Sequence, residues 1–289
     1  MQGSISPLAL SQKLSAILAG AHGGRGALAT VIGRSGSAPQ AVGAKMLLCA
    51  DGTQWGTVGG GAIEAQVEEA CRKALRFGRS ERVRADLVRD LAMCCGGSME
   101  VFVEYIEARQ RLFVLGAGHV SQALAPLLVG LNYELWVLDD RDELLRHPAF
   151  ADIETGSYDA DEVAEAVPMP TDRDAYLVMT RDHARDEKAV AQILEQPHAF
   201  VGMIGSRRKV HTVLRRMLRR YDERGRARPD LSRLRSPLGL TLGGRTPAEI
   251  AVSIAAELVA LRHGGDGAPM SIVDEVLTSL DAGNDKQSA

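Results

Sequence analysis

The feature that most constrains this chain is a glycine turn set between a short apolar run and a stretch of helical spacing. Leu112–Leu115 reads as a buried strand, Gly116-Ala117-Gly118-His119-Val120-Ser121 as a tight turn, and Val120–Leu131 as a helix. Gly116 permits the turn and Gly118 lets a phosphate approach the backbone. Ser121 replaces a third glycine and is small enough for close helix–strand packing. The next strand, Leu135–Leu138, ends at Asp139, 23 positions after Gly116 and near the ~20 expected of a ribose-binding acid. Strand, turn, helix, strand and acid in this order predict a Rossmann-like, doubly wound parallel sheet. The helix N-terminus suits a dinucleotide or any other phosphate; a glycine turn without a ligand is the alternative these residues leave open.

The rest of the second half continues the alternation. A strand is expected near Ile153, and Ala175–Met179 and Phe200–Ile204 are two more, separated by a helix over Asp186–Gln196. Val210, Val213, Leu214, Met217, Leu218 and Tyr221 share one helical face, with arginines crowding the other. Asp222–Arg235 reads as a polar loop. Thr246-Pro247-Ala248-Glu249 is a capping box that opens a last helix with core face Ile250, Ile254, Leu258 and Leu261. The Rossmann-like domain with these C-terminal helices is expected over residues 111–265, followed by a tail at 266–289 that is disordered after Gly283.

The first half, residues 1–108, reads as a small α/β domain. Pro7–Leu18 is a helix, and Leu28–Arg34 and Lys45–Ala50 are strands flanking a turn-rich stretch. Gly59-Gly60-Gly61 opens a helix with Ile63, Val67, Cys71 and Leu75 in line, Met99–Ile106 is a strand, and 107–110 is a linker. Successive glycine amides at Gly59–Gly61 can form an anion nest, with Lys45 and Arg34 adding charge; a tight strand-to-helix turn is the other reading.

Candidate chemistry is sparse. A dehydrogenase needs a proton donor beside the hydride acceptor, and no Tyr-x-x-x-Lys occurs. His119 lies in the turn, where it would touch an anion. His183, in Thr180-Arg181-Asp182-His183-Ala184-Arg185-Asp186, follows a strand at the sheet edge where such folds bind ligands; alternatively Asp182 caps the next helix and His183 is solvated. Cys94-Cys95-Gly96-Gly97 offers a thiol with little neighbouring bulk, suited to a nucleophile or a soft-metal ligand at Cys95. Cys49 and Cys71 read as inert buried residues, and no cysteine pairs stand at zinc-ligand spacing.

Net charge is −3 over 289 residues, which gives no footprint for bulk nucleic-acid binding. Four cysteines in such a length fit a reducing compartment. No signal peptide and no membrane-length apolar run is expected, hence a cytoplasmic protein.

The motifs above, in their order, resemble those of the xanthine dehydrogenase accessory (XdhC/CoxI) family. The resemblance runs through Gly36–Glu64, Cys95-Gly96-Gly97, Gly116–Val120, Asp139-Asp140-Arg141, Thr180–Asp186, Ile204-Gly205-Ser206-Arg207-Arg208-Lys209, Ser236–Leu240 and Thr246–Ile254. It covers about Leu28 to Leu261. Gln40, Ser121 and Cys94 depart from the family pattern, and Gln40 removes a possible phosphate contact. The resemblance implies a chaperone rather than a turnover enzyme. Such a protein binds molybdenum cofactor (molybdopterin), promotes its sulfuration by a cysteine desulfurase, works beside molybdenum cofactor biosynthesis proteins, and inserts the cofactor into the apo molybdenum-binding subunit of xanthine dehydrogenase or a relative. A homodimer is the family expectation. Cofactor-binding candidates are then Cys95 (beside molybdenum), Gly59, Gly60, Gly61, Gly116, Gly118, His119, Asp139, His183 and Arg207, with Arg208 and Lys209 facing an anion or solvent. Two other classes compete: an NAD(P)-dependent oxidoreductase using Gly116, Gly118 and Asp139, and a nucleotide-sensing interaction module.

Overall fold

A computed structural model of the chain describes residues 5–86, 97–167 and 169–273. The chain forms two compact units, Met1–Arg109 and Gln110–Ala289. Among the described residues no helix is long and apolar enough to cross a membrane.

The first unit contains α1 (Pro7–Leu18), β1 (Arg25–Gly36), β2 (Lys45–Cys49), β3 (Gln54–Gly56), α2 (Gly61–Phe77), β4 (Glu81–Asp86) and β5 (Gly97–Glu107). The described strands form an antiparallel sheet in the order β3-β2-β1-β5-β4. Period-two alternation sends neighbouring side chains to opposite faces. Ala27, Ala29 and Val31 of β1 and Met46 and Leu48 of β2 pack with Ile63, Val67, Cys71 and Ala74 of α2. Leu28, Leu47 and Cys49 point the other way, toward Leu10 and Ile17 of α1. The sequence reading missed β3 and β4. β3 has only three residues, and β4 is an edge strand whose Arg82 and Arg84 both pair with Glu100 of β5, so apolar content is too thin to register.

The second unit runs β6 (Arg111–Leu115), α3 (His119–Gly130), β7 (Glu134–Asp139), α4 (Asp142–Leu145), β8 (Glu154–Ser157), α5 (Val163–Ala166), β9 (Ala175–Val178), α6 (His183–Ile193), β10 (Phe200–Met203), α7 (Arg207–Glu223), β11 (Leu234–Arg235) and α8 (Pro247–His263). Its strands lie in the order β11-β10-β9-β6-β7-β8, every pair parallel. From β6 at the centre the chain winds outward through β7 and β8, then returns to β9 and winds the other way. This is the doubly wound α/β arrangement the sequence predicts, and its switch point lies between β6 and β9.

Both faces of the sheet's centre are covered, which is why β6, β7, β9 and β10 are largely apolar, whereas the edge strands β8 and β11 are more polar and more exposed. Phe113 and Leu115 face the layer of α6 and α7, where Ala189, Val190, Ile193, Val213 and Met217 are buried. Phe113 stacks on its cross-strand neighbour Tyr176, ring centroids 5.2 Å apart. Leu112 and Val114 face the layer of α3 and α8, in which Leu124 and Leu128 of α3 meet Ala251, Ile254 and Leu258 of α8. Each fully buried leucine or isoleucine there contributes about 1.5–3 kcal/mol. Arg262 near the end of α8 ties the two helices, donating to the Leu131 carbonyl at 2.7 Å and lying over the Tyr133 ring.

Several boundaries move. The core face of α8 includes Ala251, and Leu261 is exposed, because the buried positions drift around the helix. α6 begins at His183, three residues ahead of the expected start, because Asp182 caps it. The polar loop over Asp222–Arg235 ends in the short strand β11. Thr246 and Glu249 do form the reciprocal capping box, and Pro247 occupies the first turn.

Candidate functional site

Gly116 sits where the carboxyl ends of β6, β7 and β9 meet. Its φ is +118°, and a Cβ there would lie 2.4 Å from the Met179 carbonyl oxygen and 3.1 Å from Thr180 Cα. Only glycine fits. Its N–H donates to the Leu138 carbonyl at 2.7 Å, and its own carbonyl accepts from the buried Ser121 hydroxyl. Ser121 therefore does more than keep the helix close: it ties α3 back onto the turn. Gly118 is the opposite case. It has an extended backbone (φ −71°, ψ −177°) and opens α3 with no side-chain cap, and nothing lies within 4 Å of where its Cβ would be. The first turn of α3 thus presents backbone to an open space, the geometry in which amides receive an anion. His119 is exposed beside it.

Asp139, the expected ribose-binding acid, is turned inward. It is 3% exposed; one oxygen accepts the Ala117 N–H at 2.7 Å, and Arg141 closes on both oxygens at 2.8 and 2.9 Å. The Arg141 amide adds a fourth bond. Burial raises the pKa of this carboxyl, but hydrogen bonds from the Arg141 guanidinium and the Ala117 and Arg141 amides outweigh it, and Asp139 is held below the ordinary carboxylate range. This carboxylate, expected at a ribose, braces the glycine turn from within.

That brace carries a sign. A depressed folded-state pKa contributes stability that is present above the unfolded value of about 3.9 and is lost as pH falls through the folded value. Asp139→Asn is expected to flatten the acid limb of a stability–pH profile measured by urea unfolding between about pH 5.5 and 2.5. Parallel acid limbs for the two proteins would remove Asp139 as an acid-labile brace.

Around this turn lies a network of arginines and aspartates. Asp140 receives Arg181 at 2.8 Å and Arg185 at 3.1 Å, and Arg185 also reaches Asp159 and Asp182. Asp182 accepts the Arg185 and Ala184 amides as the cap of α6, which hold its carboxyl below the ordinary range. His183 is the first residue of that helix and is exposed. Behind this edge, Asp186 is fully buried. It accepts the Thr180 N–H and hydroxyl at 3.0 and 2.8 Å and pairs with Lys209, which is 11% exposed. Lys209 therefore faces a buried carboxylate, not an incoming anion. Gly205, at φ +152°, makes room for its stem: a Cβ there would meet Lys209 Cδ at 2.4 Å. Ser206 caps α7, and Arg207 and Arg208 are exposed on its first turn. Tyr158 lies in the adjoining core with its hydroxyl buried and without a hydrogen-bond partner; burial, then the charges of Asp139 and Asp186, push its pKa up.

In the first unit, Gly59, Gly60 and Gly61 all have positive φ, a tight turn only glycine makes easily rather than the alternating right- and left-handed backbone of a nest. The amides of this turn are already served from within. Gly60 N–H donates to Glu64 Oε2 at 3.0 Å, Gly59 N–H to the Thr57 hydroxyl at 3.1 Å, and that hydroxyl to Glu64 in turn. Lys45 Nζ is bonded to the Thr30 hydroxyl at 2.9 Å. Cys49 and Cys71 are buried as expected, and burial pushes their thiols up to about 11 and about 12. Cys94 and Cys95 lie outside the described residues.

A family profile for the XdhC Rossmann domain matches residues 112–258, half of the chain, and the XdhC and CoxI family profile matches residues 19–86. The chain belongs to the XdhC and CoxI family. Curated relatives agree. The chain is 35% identical to the uncharacterized protein YqeB of Escherichia coli, over 84% of the chain and 45% of that protein. It is 28% identical to a probable xanthine dehydrogenase subunit of Bacillus subtilis, over 56% of the chain and 46% of that protein. It therefore spans less than half the length of either. It is 22% identical to the molybdenum cofactor insertion chaperone PaoD of Escherichia coli, over 83% of the chain and 84% of that protein. A solved structure described as a xanthine dehydrogenase from Bacillus halodurans aligns with 90% of the chain and 97% of its own, at 20% identity and a TM-score of 0.48.

Within this XdhC Rossmann domain, the structure brings Gly116, Gly118, His119 and Asp139 together at one turn, with the Thr180–His183 stretch touching it through Gly116. The sequence reading missed what binds them: Asp140, Arg181 and Arg185 as a charge network, and Asp186 with Lys209 as the buried pair beneath. The only sequence signal was that these residues fall within the runs 139–141, 180–186 and 204–209 that carry the family resemblance.

Proposed function

We propose that the chain binds molybdenum cofactor as cargo and delivers it to an apo-molybdoenzyme of the xanthine dehydrogenase type. The observation that carries this reading is the open glycine backbone at Gly118, at the uncapped start of α3 and the switch point of the parallel sheet. The terminal phosphate of molybdopterin is a compact anion suited to such a helix start. In this reading Arg181 exchanges Asp140 for a phosphate oxygen, and His119 and Arg207 flank the anion. The family and the likeness to an insertion chaperone support the role. Sulfuration with a cysteine desulfurase, a homodimeric state and a cytoplasmic location belong to the same proposal.

The strand order also favours a dinucleotide, which keeps an NAD(P)-dependent oxidoreductase as the competing reading. Against it, Asp139 is spent on Ala117 and Arg141, and His183 is exposed at a helix start.

The test is anaerobic purification from cells able to make the cofactor, followed by molybdenum analysis and fluorescence of the oxidised pterin. Stoichiometric pterin is expected. Gly118→Val is expected to lower retention at least tenfold, about 1.4 kcal/mol, while changing stability by less than about 1 kcal/mol, the scale of a cap substitution. Bound nicotinamide dinucleotide without pterin would replace the carrier reading by the oxidoreductase. Pterin retention unchanged in a folded Gly118→Val protein would move the anion site elsewhere.

A further inference from the structure

We propose that His22, Cys49 and Asp51 form a binding site for a divalent transition metal of the zinc class. The site lies within the first unit and goes beyond the carrier role, on which it does not depend. Among the described residues these three side chains form the one group of histidine, cysteine and carboxylate ligands whose ligand atoms all lie within 4.8 Å of one another.

The backbone is built to bring them together. Cys49 ends β2, and Asp51 lies in the turn to β3. That turn is closed by Gly52 N–H on the Cys49 carbonyl at 3.0 Å and by Cys49 N–H on the Thr53 carbonyl at 2.8 Å. One Asp51 oxygen accepts the Thr53 amide at 2.9 Å, which leaves the other facing His22 Nδ1 at 2.7 Å. His22 comes from a different segment, the 3-10 turn Ala21–Gly24 before β1. It holds φ +56°, a left-handed conformation that costs a non-glycine residue about 1–2 kcal/mol, and it is flanked by Gly20, Gly23 and Gly24, all at positive φ. Strain of this kind persists where surrounding structure enforces it, and it collects at ligand sites. Here the Trp55 ring packs edge-on against the imidazole, centroids 5.1 Å apart, and Asp51 holds a ring nitrogen. Lys13 Nζ lies over the same Trp55 ring.

The donor set selects the ion. A thiolate, an imidazole and a carboxylate suit zinc and its neighbours, whereas calcium and magnesium take oxygen. Bond lengths of about 2.0–2.3 Å place tetrahedral ligand atoms roughly 3.3–3.8 Å apart, so the widest separation must close by about 1 Å while His22 Nδ1 and the Asp51 oxygen, 2.7 Å apart in their hydrogen bond, move apart by about 0.6–1.1 Å. The buried thiol forms the floor, and the partly exposed His22 and Asp51 form the rim. On binding, the sulfur–metal bond replaces the sulfur–hydrogen bond and the thiol proton leaves to solvent; the His22–Asp51 hydrogen bond is exchanged for metal bonds, His22 ligating as the neutral imidazole through whichever ring nitrogen carries no hydrogen. The two anionic ligands neutralise the dication. Three protein ligands leave a fourth position for water or a soft exogenous ligand, the pattern of an open rather than a purely structural site.

Cobalt(II) is the probe, titrated into the full chain and then displaced by zinc. The expected result is one equivalent bound with a near-ultraviolet sulfur-to-cobalt charge-transfer band. That band is retained in Cys94→Ser/Cys95→Ser and lost in Cys49→Ser. His22→Asn tolerates the left-handed backbone, and Asp51→Asn keeps the turn. Each is expected to weaken cobalt binding by at least tenfold, the lower end of what even an outer-sphere partner costs at roughly 10–100-fold. Absence of the band from the unmodified chain overturns the site. So does a band that survives Cys49→Ser and vanishes in the double variant. Should Cys49→Ser fail to fold, unchanged cobalt affinity in both His22→Asn and Asp51→Asn overturns it equally.

Discussion

Asp186→Ala will cost the Rossmann unit about 3–5 kcal/mol, the scale of breaking a buried ion pair by removing one partner. Asp186 is fully buried and the Lys209 side chain is 11% exposed, so the lysine loses its partner with little water to replace it. The Thr180 amide and hydroxyl lose their acceptor as well, so the loop after β9 loosens where it meets the glycine turn. Urea unfolding followed by far-ultraviolet circular dichroism measures the loss. A paired replacement, Asp186→Leu with Lys209→Met, is expected to recover most of it, because two apolar groups leave no orphan charge. A loss below about 1 kcal/mol for the single change would mean that the pair contributes no more than a surface bridge.

Gly116→Ala is the second large effect. The added methyl would lie 2.4 Å from the Met179 carbonyl oxygen, and φ at this residue is +118°. Backbone strain of about 1–3 kcal/mol and overpacking of about 1–3 kcal/mol act together, so about 2–6 kcal/mol is expected. That is comparable with the whole stability of many domains, about 5–15 kcal/mol. The contrast with Gly118→Val is the informative part. Two glycines of one turn should separate, the first failing in stability and the second in ligand retention. Equal destabilisation by both would show that Gly118 is as enclosed as Gly116.

The second unit was largely legible because its central strands are apolar on both faces and its turns are punctuated by glycine. Leu112–Leu115, the Gly116 turn and Asp139 mark the switch point without any tertiary information. What sequence spacing cannot show is where a carboxylate points. Asp139 stands at the position of a ribose ligand, yet Arg141, two residues on, folds back and claims it. Lys209 reads as one of three cations in a row, but Gly205 lets its stem turn inward to Asp186 while its neighbours stay in solvent. In the first unit, Gly59–Gly61 forms a turn of positive φ, and the Gly60 amide within it is taken by Glu64 of the helix that the turn opens. The grouping of His22 with Cys49 and Asp51 was beyond spacing arguments altogether. It depends on a left-handed histidine and on a distant turn meeting it across a sheet end.

The packing of α8 on α3 bears on how the chain is made. The tie from Arg262 to Leu131 spans 131 positions, and the apolar side of α3 that holds Leu124 and Leu128 is completed by Ile254 and Leu258. During synthesis α3 leaves the ribosome among the first elements of its unit, but its cover arrives among the last. At roughly 5–20 residues per second, that face waits about 7–26 s in water. Truncation before α8 would leave it uncovered for good, exposing nascent chains to aggregation or to capture by general chaperones. A late-made helix thus sets the moment at which one whole face of the parallel sheet is sealed from water.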